Sequence, residues 1–310
     1  MKVLVAGATG AIGRQLLPLL VEARHQVSAI TRSEEKADGL RALAAEPIVC
    51  DVFDRAKLAA AVGLIKPEAV IHQLTDLPKE FDLEALKASY PRNNRVRREG
   101  TKNLLDAAHN SGARRFLVQS MASWYRPGKP GLRTEHDQLY LNAPEPIGKA
   151  ARTLKYMETI VLESELEGIV LRYGAFYGPG TWFSRNSSLS QQVLARKYPI
   201  IGDGEGVCSW IHVSDAARAT IAALERGQPG IYNVTDDDPA PMREWLPFYA
   251  TVLGAKPPRK VPALLARVMG GGGLVKWQST MPGASNARIK KILEWKPQYE
   301  TWRRGFVEAL

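Results

Sequence analysis

The stretch VLVAGATGAIGR, residues 3–14, decides how the rest of the chain is read. It begins in a short β-rich run, KVLVAG, and ends at the head of AIGRQLLPLLVEAR, whose apolar residues recur at helical spacing. Between the two stand Gly7, Gly10 and Gly13, in the pattern G-x-x-G-x-x-G. A glycine-rich turn between a strand and a helix is the context of a dinucleotide site. Gly7 permits the tight turn, Gly10 lets the backbone approach a pyrophosphate, and Gly13 lets the helix pack closely on the strand. The helix start offers free N–H groups and the positive end of its dipole to phosphate. The residues expected to surround the phosphates are therefore Gly7, Thr9, Gly10, Ala11, Ile12, Gly13 and Arg14.

The next segments select the dinucleotide. The second strand, QVSAIT, runs into Arg32 with no acid before Ser33. An acid there would bind the ribose 2′-OH of NAD, whereas an Arg accommodates the 2′-phosphate of NADP. Arg32, with Arg14 as a second charge, favours NADP, with NAD as the alternative. Further on, CDVFD places Asp51 and Val52 at a strand end, where Asp51 can accept from the adenine amino group. The competing reading is a helix cap, a role for which Asp54 is better placed.

The same alternation continues. QVSAIT, PIVCDV, EAVIHQ, RRFLVQS and GIVLRYG read as strands, separated by helical stretches such as EEKADGLRALAA and NRVRREGTKNLLDAAHNSG. This predicts an α/β fold with a doubly wound parallel sheet of Rossmann type. Pro18 is expected to bend the first helix. The second half predicts strands at VCSWIHV and GIYNVT, and helices near 147–166, 214–227, 241–253, 261–269, 285–293 and 299–309. The GGGG run at 270–273 predicts a flexible loop.

Composition narrows the class. The chain has 310 residues, 45% hydrophobic and 24% charged, which suits a globular protein. It shows no apolar run of membrane-spanning length and no signal peptide, so the expectation is a cytoplasmic protein without membrane contact. Two distant cysteines form neither a disulfide framework nor a metal site. The net charge of +10 is densest at RNNRVRREGTK, residues 92–102, read as a solvated helix face. No nucleic-acid motif accompanies it, so no specific nucleic-acid partner is expected.

The motifs GATGAIG, CDVFD, AVIHQL, GTKNLLDAA, RRFLVQSMASWY, GIVLRYGAFYGPG, GDGEGVCSWIHVSDAARA and GIYNVTDDDP run in order over nearly the whole chain. Together they resemble an extended short-chain dehydrogenase/reductase of the NAD-dependent epimerase/dehydratase type. The resemblance implies a Rossmann domain over 1–175, rejoined by 206–235, and a smaller C-terminal substrate domain from 176–205 and 236–310. It also implies a homodimer through helices that include 147–166. Gln73 and Leu74, at the end of the fourth strand, join the expected cofactor set.

The chemistry matches less well. Such enzymes use a Ser, a Tyr and a Lys four residues after the Tyr, which shares its helical face and lowers its pKa. In APEPIGKAARTLKYME, residues 143–158, the family's acid aligns with Glu158, putting Ala150 at the Tyr place and Leu154 at the Lys place. Lys155, one place off, and Lys149 are the candidates for holding ribose. Only Tyr125 has a Lys four residues on, Lys129, across a turn. The Ser place falls at Met121, flanked by Ser120 and Ser123. Replacement proton donors are Tyr125, Tyr140, Ser120 and Ser123, while His72 reads as structural. Trp124, Phe176, Trp182 and Trp210 suggest a cleft for a small aromatic or apolar substrate. The expectation is an NADP-dependent reductase. The alternatives are a non-catalytic NAD(P)-sensing protein and a sugar-nucleotide epimerase or dehydratase.

Overall fold

The computed structural model describes residues 1–310 other than Lys129, Gly271 and Leu310. Its first half alternates strand and helix: β1 (Lys2–Ala6), α1 (Ala11–Glu22), β2 (Gln26–Thr31), α2 (Ala37–Arg41), β3 (Glu46–Val49), α3 (Arg55–Ile65) and β4 (Ala69–His72). Then come α4 (Leu83–Arg95), α5 (Thr101–Asn110), β5 (Arg115–Met121), α6 (Ile147–Leu162) and β6 (Glu167–Tyr173). The second half holds β7 (Ala175–Tyr177), α7 (Ser188–Leu194), β8 (Ile200–Ile201), β9 (Val207–Cys208), β10 (Trp210–His212), α8 (Val213–Arg226) and β11 (Gly230–Val234). It closes with β12 (Ala240–Pro241), α9 (Met242–Val252), β13 (Lys260–Val261), α10 (Ala263–Gly270), α11 (Gly272–Thr280), α12 (Ala287–Leu293) and α13 (Trp302–Ala309).

Seven strands form one parallel sheet in the order β11-β6-β5-β4-β1-β2-β3. The chain starts at β1, moves outward through β2 and β3, then returns to β4 on the other side of β1. That reversal opens a crevice at the carboxyl ends of β1 and β4, where such sheets bind ligands. Both faces are covered, which explains strands as uniformly apolar as Val3–Ala6 and Ala69–Ile71. One face packs Leu16, Leu17 and Leu20 of α1 against Ala216, Ala219 and Ala223 of α8. The other packs Leu58 of α3, Leu104 of α5 and Leu154 of α6. A third cluster gathers Tyr177, Trp210, Trp245, Trp302 and Phe306.

Several elements depart from the expectation. Helix α1 runs on through Pro18, which is exposed, so the missing N–H costs a bond only on the solvent side. PIVCDV is strand only to Val49, and VCSWIHV divides at Ser209, whose carbonyl accepts from Ala175 N at 2.7 Å. The GGGG run lies between two helices: Gly270 ends α10 and Gly272 opens α11, with Gly271 outside the described residues. Helix α4 was unanticipated, because LEALKASYPRNNR carries Pro91 and little apolar signal. Asp82 caps it by accepting from Ala85 N at 2.7 Å. A π-helical turn, Val96–Gly100, joins it to α5.

Candidate functional site

The glycine turn fits a dinucleotide closely. Gly7 has φ +97°, and a Cβ there would stand 2.6–2.9 Å from the backbone of Gln73 and Leu74. The turn is thus pressed against the end of β4. A Cβ at Gly13 would lie 2.4 Å from the carbonyl oxygen of Ala8, so α1 needs glycine to sit this close. Gly10 is exposed and is the N-cap of α1, with no side chain capping the first-turn N–H groups. Those groups are left for an anion. Ala11 is half-buried and Ile12 buried beside them. Arg14 is exposed and folds back, its Nε donating to Thr9 O at 3.1 Å.

At the carboxyl end of β2, Thr31 is buried, and its hydroxyl accepts from Ser33 N at 3.2 Å. Arg32 is exposed, with no ion pair among the described residues. Asp51 accepts from Phe53 N at 2.9 Å, and Val52 is held through its carbonyl by Asn103 Nδ2 at 2.9 Å. Asp54 caps α3 through Lys57 N, as its position suggested. Leu74 N donates to His72 Nδ1 at 3.2 Å. Gln73 N donates to Ala6 O at 2.7 Å and its Nε2 to the Tyr173 hydroxyl at 3.1 Å. Its Oε1 is buried without a partner. A buried acceptor without a protein partner at the switch point suits a bound ligand that donates to it.

The carboxyl end of β5 is organised differently from the sequence expectation. Ser120 Oγ donates to Glu158 Oε1 at 2.7 Å. Arg172 grips the same carboxylate with Nε at 2.8 Å and Nη2 at 2.6 Å. Its Nη1 donates to the Tyr125 hydroxyl at 2.9 Å, which in turn donates to Asn233 Oδ1 at 2.7 Å. All five residues are at most 4% exposed. Burial pushes the Tyr125 phenol up to about 12, against the pull of Arg172. Tyr125 and Ser120 are thus committed to a closed network joining β5, α6, β6 and β11, which argues against either as proton donor. Lys129, its sequence partner, lies outside the described residues.

The other candidates are scattered. Ser123 sits half-buried in a short turn whose carbonyl accepts from Trp277 Nε1 at 3.0 Å. Tyr140 is half-buried beside Trp124, and its hydroxyl has no partner among the described residues. Ala150 and Leu154 are fully buried, and α6 turns Lys155 outward, exposed among its surface residues. Lys155 therefore shares no face with the residues packed toward β5, against the expectation of a ribose contact. Trp124 packs on Trp277 at 5.5 Å between ring centroids. Trp182 donates through Nε1 to Pro78 O at 3.1 Å, in the segment that follows β4. Phe176 packs on Tyr173 at 5.4 Å. Trp210 is fully buried between Tyr177, Phe183, Trp245 and Phe306, so it is core and not cleft.

The basic stretch at 92–102 also divides. Arg92, Arg95 and Arg98 are exposed, as a solvated face requires, but Arg97 is turned inward and 6% exposed. Its Nη2 reaches Met121 Sδ at 3.5 Å, the residue standing where the family Ser was expected. Trp124 Nε1 meets the same sulfur at 3.1 Å. A separate cavity of about 410 Å³, lined by Leu19, Glu22, Arg218, Ile221 and Trp295, opens at the far end of α1. It lies ~15 Å along the helix from the glycine turn and takes no part in the crevice.

Residues 3–235 match the family model described as "NAD dependent epimerase/dehydratase family". The chain belongs to this family. Over 98% of its length it is 43% identical to 99% of the 3-diazoavenalumate denitrifying reductase of a Streptomyces species. It is 26% identical, over 92% of its length and 83% of the relative, to a 4-hydroxy-2-methyl-3-oxo-4-farnesyl-3,4-dihydroquinoline-1-oxide ketoreductase of Stigmatella aurantiaca. Among solved structures it resembles DesIV, the dTDP-glucose 4,6-dehydratase of Streptomyces venezuelae with NAD bound, with a TM-score of 0.78 and 21% identity over 100% of this chain and 95% of that one. Family and relatives together make this epimerase/dehydratase-family chain an NAD(P)-dependent oxidoreductase, which uses a nicotinamide dinucleotide.

Proposed function

We propose that the chain is an NADPH-dependent reductase that removes dinitrogen from a diazo-bearing aromatic substrate. The observation that carries this reading is the absence of a protic side chain at Met121, Ala150 and Leu154, where the family pattern expects Ser, Tyr and Lys. Ketone reduction needs an acid to protonate the oxygen. Replacement of a diazonium group by hydrogen does not. The change from Ar–N₂⁺ to Ar–H and N₂ takes up two electrons and one proton. A bound reduced nicotinamide supplies all of these as one hydride equivalent. The similarity to the denitrifying reductase points to the same substrate class.

The chain's own residues then bind and orient. Gly10 and the first turn of α1 would hold the pyrophosphate, and exposed Arg32 the 2′-phosphate that distinguishes NADP from NAD. Gln73 Oε1 offers an acceptor at the crevice. Tyr140 and Trp277, half-buried against the core around Trp124, offer an apolar face, suited to a flat aromatic ring and to exclusion of water from a reactive diazo group.

The test is NADPH oxidation, followed at 340 nm, with a panel of ortho-diazo phenols beside aromatic ketones and quinones. Turnover confined to the diazo compounds is expected. Turnover of ketones with none of the diazo compounds would overturn the reading and make Tyr140 the leading acid.

A further inference from the structure

We propose that Arg97 is the anion-binding residue of the substrate pocket, and that it takes the carboxylate of an aromatic acid at the end of β5. Arg97 is the residue the basic stretch hides. It lies on the π-helical turn, where one extra residue per turn redirects the following side chains. Its neighbours Arg95 and Arg98 stay outside, on Phe53 and Tyr156, at 4.0 and 4.4 Å from the ring centroids.

An arginine only 6% exposed is ordinarily paired with a carboxylate, because an unpaired buried charge is costly. Arg172 follows that rule, gripping Glu158. Arg97 does not. Among the described residues no acid lies within ion-pair distance of it, and its only hydrogen-bond acceptor is the thioether of Met121, a weak one. Burial holds its pKa down at about 10, with Tyr90 the opposing influence. His72, also buried nearby, is lowered further by the same unpaired charge. Three residues upstream, Asn94 leaves its Oδ1 buried and unpartnered, and Gln73 does the same after β4. An unpaired guanidinium thus meets Met121 at the carboxyl end of β5, where Trp124 meets the same sulfur, and two buried acceptors, Gln73 Oε1 and Asn94 Oδ1, stand without partners.

Five N–H groups in a planar fork match a carboxylate bidentately. An aromatic acid would place its ring against half-buried Tyr140 and its carboxylate on Arg97. That the acid is the reductase substrate rests on the diazo reading above; the anion site rests on the unpaired charge alone.

The experiment separates the two. Binding of trans-cinnamate and of its neutral isostere trans-cinnamamide to the full chain with NADP⁺ is measured by titration calorimetry, for the native protein and for Arg97→Met and Arg97→Lys. The native protein should prefer the carboxylate about 10-fold or more, the weight of a charge-assisted hydrogen bond. Arg97→Met should abolish the preference while leaving amide binding in place, and Arg97→Lys should retain part of it. Without ligand, Arg97→Met should melt no lower than the native protein, since it removes an uncompensated charge. Equal binding of acid and amide by the native protein, or a preference that survives in Arg97→Met, would overturn the proposal. So would a lower melting temperature in Arg97→Met combined with an unchanged preference in Arg97→Lys. None of these outcomes depends on diazo turnover.

Discussion

At the scale of single residues, Arg32 and Tyr125 carry opposite lessons. Arg32 follows the second strand where an acid would otherwise stand, and among the described residues it is exposed and makes no ion pair. Arg32→Glu should weaken NADPH at least ~10-fold while leaving NADH little changed, by loss of a charge-assisted phosphate contact and gain of repulsion. Equal losses for the two cofactors, measured by fluorescence titration, would rule out the 2′-phosphate role. Tyr125 was misleading, because position along β5 says nothing about which way a ring turns. Its hydroxyl is shared by Arg172 and Asn233. Tyr125→Phe should therefore cost about 1–3 kcal/mol of stability, the desolvation of partners left unsatisfied, and leave turnover of the folded protein unchanged. Arg97 was illegible for a related reason: inside RNNRVRREGTK it looks like its exposed neighbours. Only the π-turn, which no residue pattern announces, rotates it inward.

At the scale of elements, the glycine turn and the β5–α6–β6 network hold the site. The turn could be read in advance because its three glycines answer to backbone contacts within a few residues of sequence or to the adjacent strand. Gly13→Ala drives a methyl to 2.4 Å from Ala8 O. A loss of about 1–3 kcal/mol, typical of overpacking, should accompany weaker dinucleotide binding. The network was not readable, since Ser120, Tyr125, Glu158, Arg172 and Asn233 are spread over more than a hundred residues and meet only through the sheet order. Glu158→Gln breaks a fully buried pair and should cost about 3–5 kcal/mol in chemical denaturation. A loss within error of zero would mean that Arg172 finds another acceptor. Helix α11, hidden by its glycines, adds Trp277 to the same neighbourhood through Ser123 O and Trp124. Gly273 is what lets it approach, for a Cβ there would lie 2.6 Å from Glu145 O.

At the scale of the whole molecule, fold class and cofactor class follow from order and periodicity, while the substrate follows from side chains the fold merely carries. No helix among the described residues is long and apolar enough to cross a membrane. The buried histidines give the molecule a pH dependence with a definite sign. Burial lowers His72 from 6.5 to about 3 and His212 to about 4. The unfolded chain takes up these protons near 6.5 and the folded chain resists them. The stability is therefore full above 6.5 and is lost as pH falls towards 4. The urea midpoint should drop over that window, by up to ~1.4 kcal/mol of stability per pH unit for each histidine. The reaction itself is tested most directly by its nitrogen balance. With an ¹⁵N₂-labelled diazo phenol, gas analysis should find one ¹⁵N₂ released for each NADPH oxidised, and the arene should carry hydrogen at the vacated carbon. NADPH oxidation with both nitrogens retained in the product, or oxidation by ketones alone, would contradict a reductase that works without a protein acid.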